Sequence, residues 1–256
     1  MKAIQFKEFG GPDVLENVDI DMPTPHGREV LIKVHASAVN YADTARREGQ
    51  YVVKTTLPYI PGAEVSGLVS EVGEDVTKVN VGDRVVAMMD SGGYAEYAVT
   101  DERSILPLPY CLDFKEAAAI PVQGLSAYHI LKTLGRLEQG ETVLIHAAAG
   151  GDVFYKTLKC LAYFGRLIIY GVASGEQSRF YPSSLMAKNQ SVTGFFLPPL
   201  MRDSELTQKT LHEIFHYVAN GDIKVTVGHV FPLEEAAKVH SLMQGRQTVG
   251  KVILQP

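Results

Sequence analysis

Residues 142–146 (Thr-Val-Leu-Ile-His) form an apolar run with no polar alternation. Such a strand suits a parallel sheet buried on both faces. A glycine turn follows at 147–151. Then Val153, Phe154, Leu158, Leu161 and Ala162 recur at helical spacing across 152–164. Asp152 suits the N-cap of that helix and Gly165 its stop. A second apolar strand pattern at 167–170 ends at Gly171. This segment therefore reads as one β-turn-α-β unit.

The residues before it read differently. Short apolar or alternating runs at 3–6, 30–38, 63–72, 84–89 and 95–100 are separated by Gly10-Gly11-Pro12, Pro23-Thr24-Pro25, Pro61-Gly62 and Ser91-Gly92-Gly93. That punctuation predicts a small β-barrel or sandwich. Val81-Gly82-Asp83-Arg84-Val85-Val86 is a turn feeding a strand. Helices are predicted at 113–120, 124–134 and 204–220, with another opening at 231–235 and closing near Gly245. Strands are expected at 190–196 and 251–254.

Bulk properties narrow the function. A net charge of −5 argues against a nucleic-acid or anionic-membrane surface. No run of eighteen apolar residues occurs, so no membrane span is expected. The start, 1–6, alternates like a strand and lacks the pattern of a signal peptide. Cys111 and Cys160 cannot make a disulfide framework. A cytoplasmic location is the expectation.

Two readings of the glycine turn stand side by side. His146-Ala147-Ala148-Ala149-Gly150-Gly151 has the form of a turn whose amides approach a pyrophosphate at a helix N-terminus. Arg179, past the next strand, would then be a 2′-phosphate ligand. The other reading is a plain helix start, because Asp152 would satisfy the free amides itself and repel phosphate. His212 and His216 lie at i and i+4, as zinc ligands can, but no Glu completes an H-E-x-x-H pattern. Asn40, Asp43, Tyr51 and Tyr94 fall near turns, where capping would account for them.

The combination of segments is more specific than any one. The chain contains Ala38-Val39-Asn40-Tyr41-Ala42-Asp43, Gly49-Gln50-Tyr51, Pro61-Gly62-Ala63-Glu64-Val65-Ser66-Gly67 and Val81-Gly82-Asp83-Arg84-Val85. It continues with Gly93-Tyr94-Ala95-Glu96-Tyr97, Pro121-Val122-Gln123-Gly124-Leu125-Ser126-Ala127, Ile145 to Gly151, and Thr248-Val249-Gly250-Lys251-Val252. In this order they resemble the zinc-independent quinone oxidoreductase (zeta-crystallin-like) branch of the medium-chain dehydrogenase/reductase superfamily. The likeness covers essentially the whole chain. Zinc-dependent relatives place a cysteine where Asn40 or Tyr41 falls and a Gly-His-Glu at 61–64. Neither is present here, so no zinc is expected.

The resemblance implies an α/β plus β fold. A GroES-like β-barrel catalytic domain would occupy 1–122 and 228–256. A truncated Rossmann-type α/β domain, 123–227, would be inserted in it. It further implies hydride transfer from NADPH to a quinone or activated carbonyl compound. Asn40 and Tyr51 would orient the carbonyl oxygen, with Tyr94 lining the pocket. On the cofactor side stand Gln123, Ser126, Ala149, Gly150, Gly151, Gly171, Val172, Phe195, Phe196 and Lys251. Where the family often has tyrosine, this chain has Ala45.

The chain departs from the family at Gly150-Gly151. The family continues with a long helix and further strands that carry the adenosine ribose and 2′-phosphate. Here Gly151 runs straight into a segment resembling a late helix and strand of the same domain. A βαβ unit takes about thirty residues or more, so about two units are read as excised. Arg179 then has no claim on the phosphate, and NADPH binding is expected to be weak or absent. The runner-up reading is a non-catalytic product of the deletion that folds and self-associates. A homodimer is expected through Gln190 to Leu197, an edge strand of β-branched and aromatic content.

Overall fold

The computed structural model describes residues 1–146, 151–171 and 179–256. It divides into two compact units. The first is Met1–Gly124 with Gln208–Pro256, and the second is Leu125–Thr207. This division groups 208–227 with the first unit, twenty residues more than the boundary read from the sequence.

The first unit is built on strand β3 (Glu29–Val39), which is long enough to serve three partners. β1 (Lys2–Gln5) and β2 (Glu16–Asp19) form a separate antiparallel pair. Beside β3 lie β4 (Glu64–Val72), then β5 (Arg84–Met88) and β7 (Ile105–Pro107). β6 (Tyr97–Asp101) pairs with residues 29–33 of β3, and β11 (Lys251–Gln255) with residues 37–39. β10 (Val227–Pro232) closes the path in parallel with β11. Strands from both ends of the chain thus share one sheet, whose pairing ends openly at β10 and β7.

Alternation on β3 supplies two cores. Val30, Ile32 and Val34 pack with Val65, Val69, Val85 and Ala87. Farther along, Ala36 and Ala38 leave room for helix α2 (Phe114–Ala118) and Ile253. β3 and β4 approach so closely that a Cβ on Gly67 would meet the Lys33 carbonyl oxygen at 2.0 Å. Helix α1 (Tyr41–Arg47) follows β3 directly, a helix not expected from the sequence. Helix α3 (Pro121–Tyr128) leads out of this unit and continues as a π-helix, His129–Leu134.

In the second unit the expected 142–146 strand does not form. Val143, Leu144 and Ile145 are exposed by 44, 62 and 73%. A lone apolar strand needs a parallel neighbour. β8 (Arg166–Ile169) is instead paired with β9 (Ser191–Gly194). Among the described residues side chains pin the segment: Arg166 bonds Glu141, and the Tyr170 hydroxyl donates to the His146 carbonyl (2.9 Å). Helix α4 (Gly151–Cys160) precedes β8 and ends four residues before the expected stop. Helix α5 (Leu197–Met201) follows β9, and α6 (Ser204–Ala219) leads back to the first unit. There β10 is followed by α7 (Ala236–Gln244).

Candidate active site

Asn40 is the N-cap of α1, in extended backbone (φ −117°, ψ 149°). Asp43, at the third helical position, accepts the Asn40 backbone N–H (2.9 Å), the return half of a capping box. Strand register brings two further groups to Asn40. Val252 stands opposite Val39, which sets Lys251 opposite Asn40. Val65 stands opposite Ser37, which sets Glu64 opposite Ala38. Lys251 Nζ donates to Asn40 Oδ1 (2.6 Å) and lies 2.7 Å from Glu64 Oε1. Asn40 Nδ2 donates to the same Glu64 oxygen (2.9 Å). The other Glu64 oxygen accepts the Val122 N–H (2.7 Å) in the first turn of α3. One buried carboxylate therefore holds the Asn40 amide, neutralises Lys251 and anchors the helix that carries Gln123.

From Asp43 the network runs inward. Tyr94 donates its hydroxyl proton to Asp43 Oδ2 (3.1 Å), and His240 Nε2 lies 3.3 Å from the same hydroxyl. Arg47 Nη1 approaches His240 Nδ1 at 3.2 Å. A guanidinium can only donate, so Nδ1 accepts and the imidazole proton sits on Nε2. That proton points to the Tyr94 oxygen, leaving the tyrosine proton for Asp43. Every donor in the series Arg47, His240, Tyr94, Asp43 is thereby assigned. Arg47 is fully buried, its remaining donors bonding Gly10, Glu48 and Gln244.

Burial sets the charges. It pushes Asp43 up to about 6, against the opposing hydrogen bonds of Asn40 and Tyr94 and the Lys251 charge. Burial, followed by the Asp43 charge, carries Tyr94 well above the usual phenol range. Burial and the Arg47 cation push His240 down to about 3, in agreement with the neutral tautomer.

Gly62 has φ +101°, and a Cβ there would meet the Gly93 backbone at 2.7 Å. That contact sets the 61–64 and 93–94 segments side by side, with Tyr94 N–H on the Pro61 carbonyl (2.9 Å). A glycine in the left-handed region allows such an approach without strain.

Two expected residues are placed otherwise. Tyr94 does not line an open pocket: it is fully buried, with its hydroxyl committed to Asp43 and His240. Lys251 is not presented to a cofactor: its side chain is 3% exposed and its ammonium faces Asn40 and Glu64. In both cases a buried polar group is held by an internal partner, as desolvation requires. Tyr51 lies beside this network and feels the Asp43 charge. It is half-buried, and the Arg46 guanidinium lies 4.2 Å from its ring centre. Burial raises the Tyr51 phenol, opposed by Arg46.

Of the cofactor-side candidates, Gln123 is exposed and Ser126 half-buried, three positions apart on α3. Gly151 opens α4 with φ +50°. Gly171 is exposed, and Phe195 and Phe196 are half-buried after β9. Ala149, Gly150 and Val172 lie outside the described residues. Arg47, Glu64 and His240 were not singled out as functional residues from the sequence. His240 carried a signal, since it falls one turn after Ala236 on the buried face of α7.

Comparison with known proteins decides the family. An alcohol dehydrogenase GroES-like domain matches residues 26–110, and a domain named zinc-binding dehydrogenase matches 131–254. Human quinone oxidoreductase is 31% identical over 331 aligned positions, spanning 99% of this chain and 97% of its own length. The chain belongs to the zinc-independent quinone oxidoreductase branch of the medium-chain dehydrogenases/reductases. A quinone oxidoreductase of Pseudomonas aeruginosa is 30% identical, covering 100% of this chain and 99% of its own. Among solved structures, a mycobacterial protein in complex with NADPH superposes with a TM-score of 0.94 at 29% identity, covering both chains fully. Escherichia coli quinone oxidoreductase in complex with NADPH gives 0.88 at 25% identity, again covering both chains fully.

Within this family the donor set can be tested for what it would hold. Among the described residues no three His, Cys, Asp or Glu side chains converge on a metal position. His212 and His216 are occupied locally, by the Gln208 carbonyl (2.8 Å) and the Asn220 amide (3.0 Å). No helix is long and apolar enough to cross a membrane, among the described residues. The start of α4 does not fit a dinucleotide phosphate. Exposed Asp152 sits in its first turn, where a carboxylate takes the place of the anion.

Proposed function

We propose that this chain is by descent an NADPH-dependent quinone oxidoreductase that keeps the quinone-side groups and binds NADPH weakly or not at all. The observation that carries this reading is the buried Glu64 centre. It holds Asn40 directly and through Lys251 and anchors the helix that carries Gln123, which supports a retained substrate side. Asn40 and Tyr51 orient a carbonyl oxygen, and Gln123 and Ser126 face the nicotinamide side. Excision within the cofactor domain is supported by length. The human relative aligns over 331 positions, against 256 residues here. A llama relative matches at 46% identity over only 153 positions, 59% of this chain. Titration with NADPH, read by nicotinamide fluorescence, tests the reading. Millimolar or weaker binding with no quinone reduction is expected, and a micromolar dissociation constant overturns it.

A second reading, a non-catalytic variant that self-associates, is favoured by one observation. The apolar residues of 143–145, with Tyr163 and Phe164, are exposed. Where such exposed apolar residues form a patch, they usually mark an interface. In either reading we propose a homodimer through Gln190 to Leu197. On β9, Ser191 and Phe195 donate to β8-side carbonyls. Alternation then turns the Val192 N–H toward the open edge.

A further inference from the structure

Arg46 is a cation held in place beside the proposed quinone site. Its guanidinium lies 4.2 Å from the centre of the Tyr51 ring and 5.4 Å from that of Tyr59. Tyr59 is itself fixed, its hydroxyl donating to the Asp90 carbonyl (2.8 Å), with burial pushing its phenol up to about 12. Arg46 also hydrogen-bonds the Tyr51 side chain, and a guanidinium, with five N–H donors in a fork that matches a carboxylate, keeps further donors for a ligand. Asp43 and Asp90 both act electrostatically on Tyr51 and Tyr59. Yet among the described residues Arg46 makes no ion pair, whereas neighbouring Arg47 is fully buried and paired with Glu48. The two consecutive arginines therefore do different work. Arg47 is spent inside the protein, and Arg46 is half-buried at the surface of α1 with its charge uncompensated.

We infer that Arg46 is a specificity-determining residue that selects quinones carrying a carboxylate. This rests on the quinone-site reading of Asn40 and Tyr51. The carboxylate accepts two hydrogen bonds from the guanidinium edge, while the reducible carbonyl oxygen lies toward Tyr51. On a chain of net charge −5 an anionic ligand gains nothing from the overall field, so its preference has to come from a local cation.

Binding of an anthraquinone carboxylate and of the carboxamide of the same ring, measured by calorimetry on the full chain, tests this. The two ligands share size and ring and differ in charge. The carboxylate is expected to bind about tenfold tighter, the scale of one charge-assisted hydrogen-bonding pair. Arg46→Gln should abolish that preference, with circular dichroism reporting that the variant is folded. Arg46→Lys should restore part of it, since charge remains and the planar fork does not. Equal binding of both ligands to the wild type overturns the inference and leaves the quinone-site reading standing. A preference that persists in Arg46→Gln also overturns it. Binding of neither ligand overturns both.

Discussion

The two units of this chain differ in how they treat buried charge and a strand-like apolar run. The first takes charged groups inside and satisfies them. Glu64 and Lys251 are 0 and 3% exposed yet fully bonded, and Arg47 is buried with four partners. The second leaves apolar groups outside. Ile145, Tyr163 and Phe164 are 73, 70 and 68% exposed. The difference follows from connectivity. Every strand that β3 needs is present in the first unit, drawn from both chain ends. In the second, β8 and β9 pair only with each other among the described residues, and 142–146 has no ladder to join. One unit can therefore keep its internal chemistry while the other leaves a strand-like segment without a partner.

The comparison breaks first at the buried pair. Lys251→Met would leave the Glu64 carboxylate buried without its cation. Such uncompensated charge costs about 3–5 kcal/mol. Urea unfolding of the variant should show that loss, and a change below about 1 kcal/mol would mean that water reaches the pair. The next largest effect belongs to the second unit. Val192→Pro removes an outward-facing N–H while leaving the β8 side of the ladder. Light scattering should move from a dimer to a 28.0 kDa species. A dimer that survives the change would exclude β9 as the contact strand.

The first unit was largely legible because its strands are short, alternating and separated by Gly and Pro turns, so sequence period and packing agree. Its site was legible in part. Asn40 and Tyr51 lie in local motifs, but the groups that position Asn40 come from β4, β11 and α7, far apart in sequence. Tyr94 and Lys251 were misplaced because a motif gives a residue's identity and not the direction of its polar atom. Burial decided that direction. The 142–146 strand was misread for a related reason. Its apolar run states a preference for a parallel sheet and says nothing of whether a neighbouring strand exists.

A smaller effect separates two titrating groups in the first unit. His240 is pushed down to about 3, so it stays neutral in the fold while the unfolded chain takes up a proton below about 6.5. Its contribution to stability is present above that value and lost as pH falls toward 3. Asp43 is pushed up to about 6 from 3.8. Its contribution has the opposite sign: full below about 4 and lost as pH rises through 6. The two slopes oppose each other between about pH 6 and 4, so net loss of stability on acidification falls near pH 6.5–6 and again from about 4 toward 3. His240→Gln keeps an amide between Arg47 and Tyr94 and cannot titrate. Its stability should hold steady or rise on acidification from about pH 6.5 to 4. An unchanged acid slope would show that His240 is not the controlling group.

The smallest expected effect lies at the start of α4. Asp152 places a carboxylate among the free N–H groups at the start of α4, where a helix can otherwise meet an anion. Removing it should restore part of the positive end of the helix dipole. An exposed charge at such a position is worth about 0.3–1 kcal/mol, or roughly two- to fivefold in affinity. Asp152→Gly is therefore expected to tighten NADPH by no more than that factor, read by nicotinamide fluorescence. A much larger gain, into the micromolar range, would mean that this one side chain controls binding. The α4 N-terminus would then be the cofactor site, and the two units would differ by a single charge. A gain within the expected range places any remaining deficit elsewhere than in the Asp152 charge.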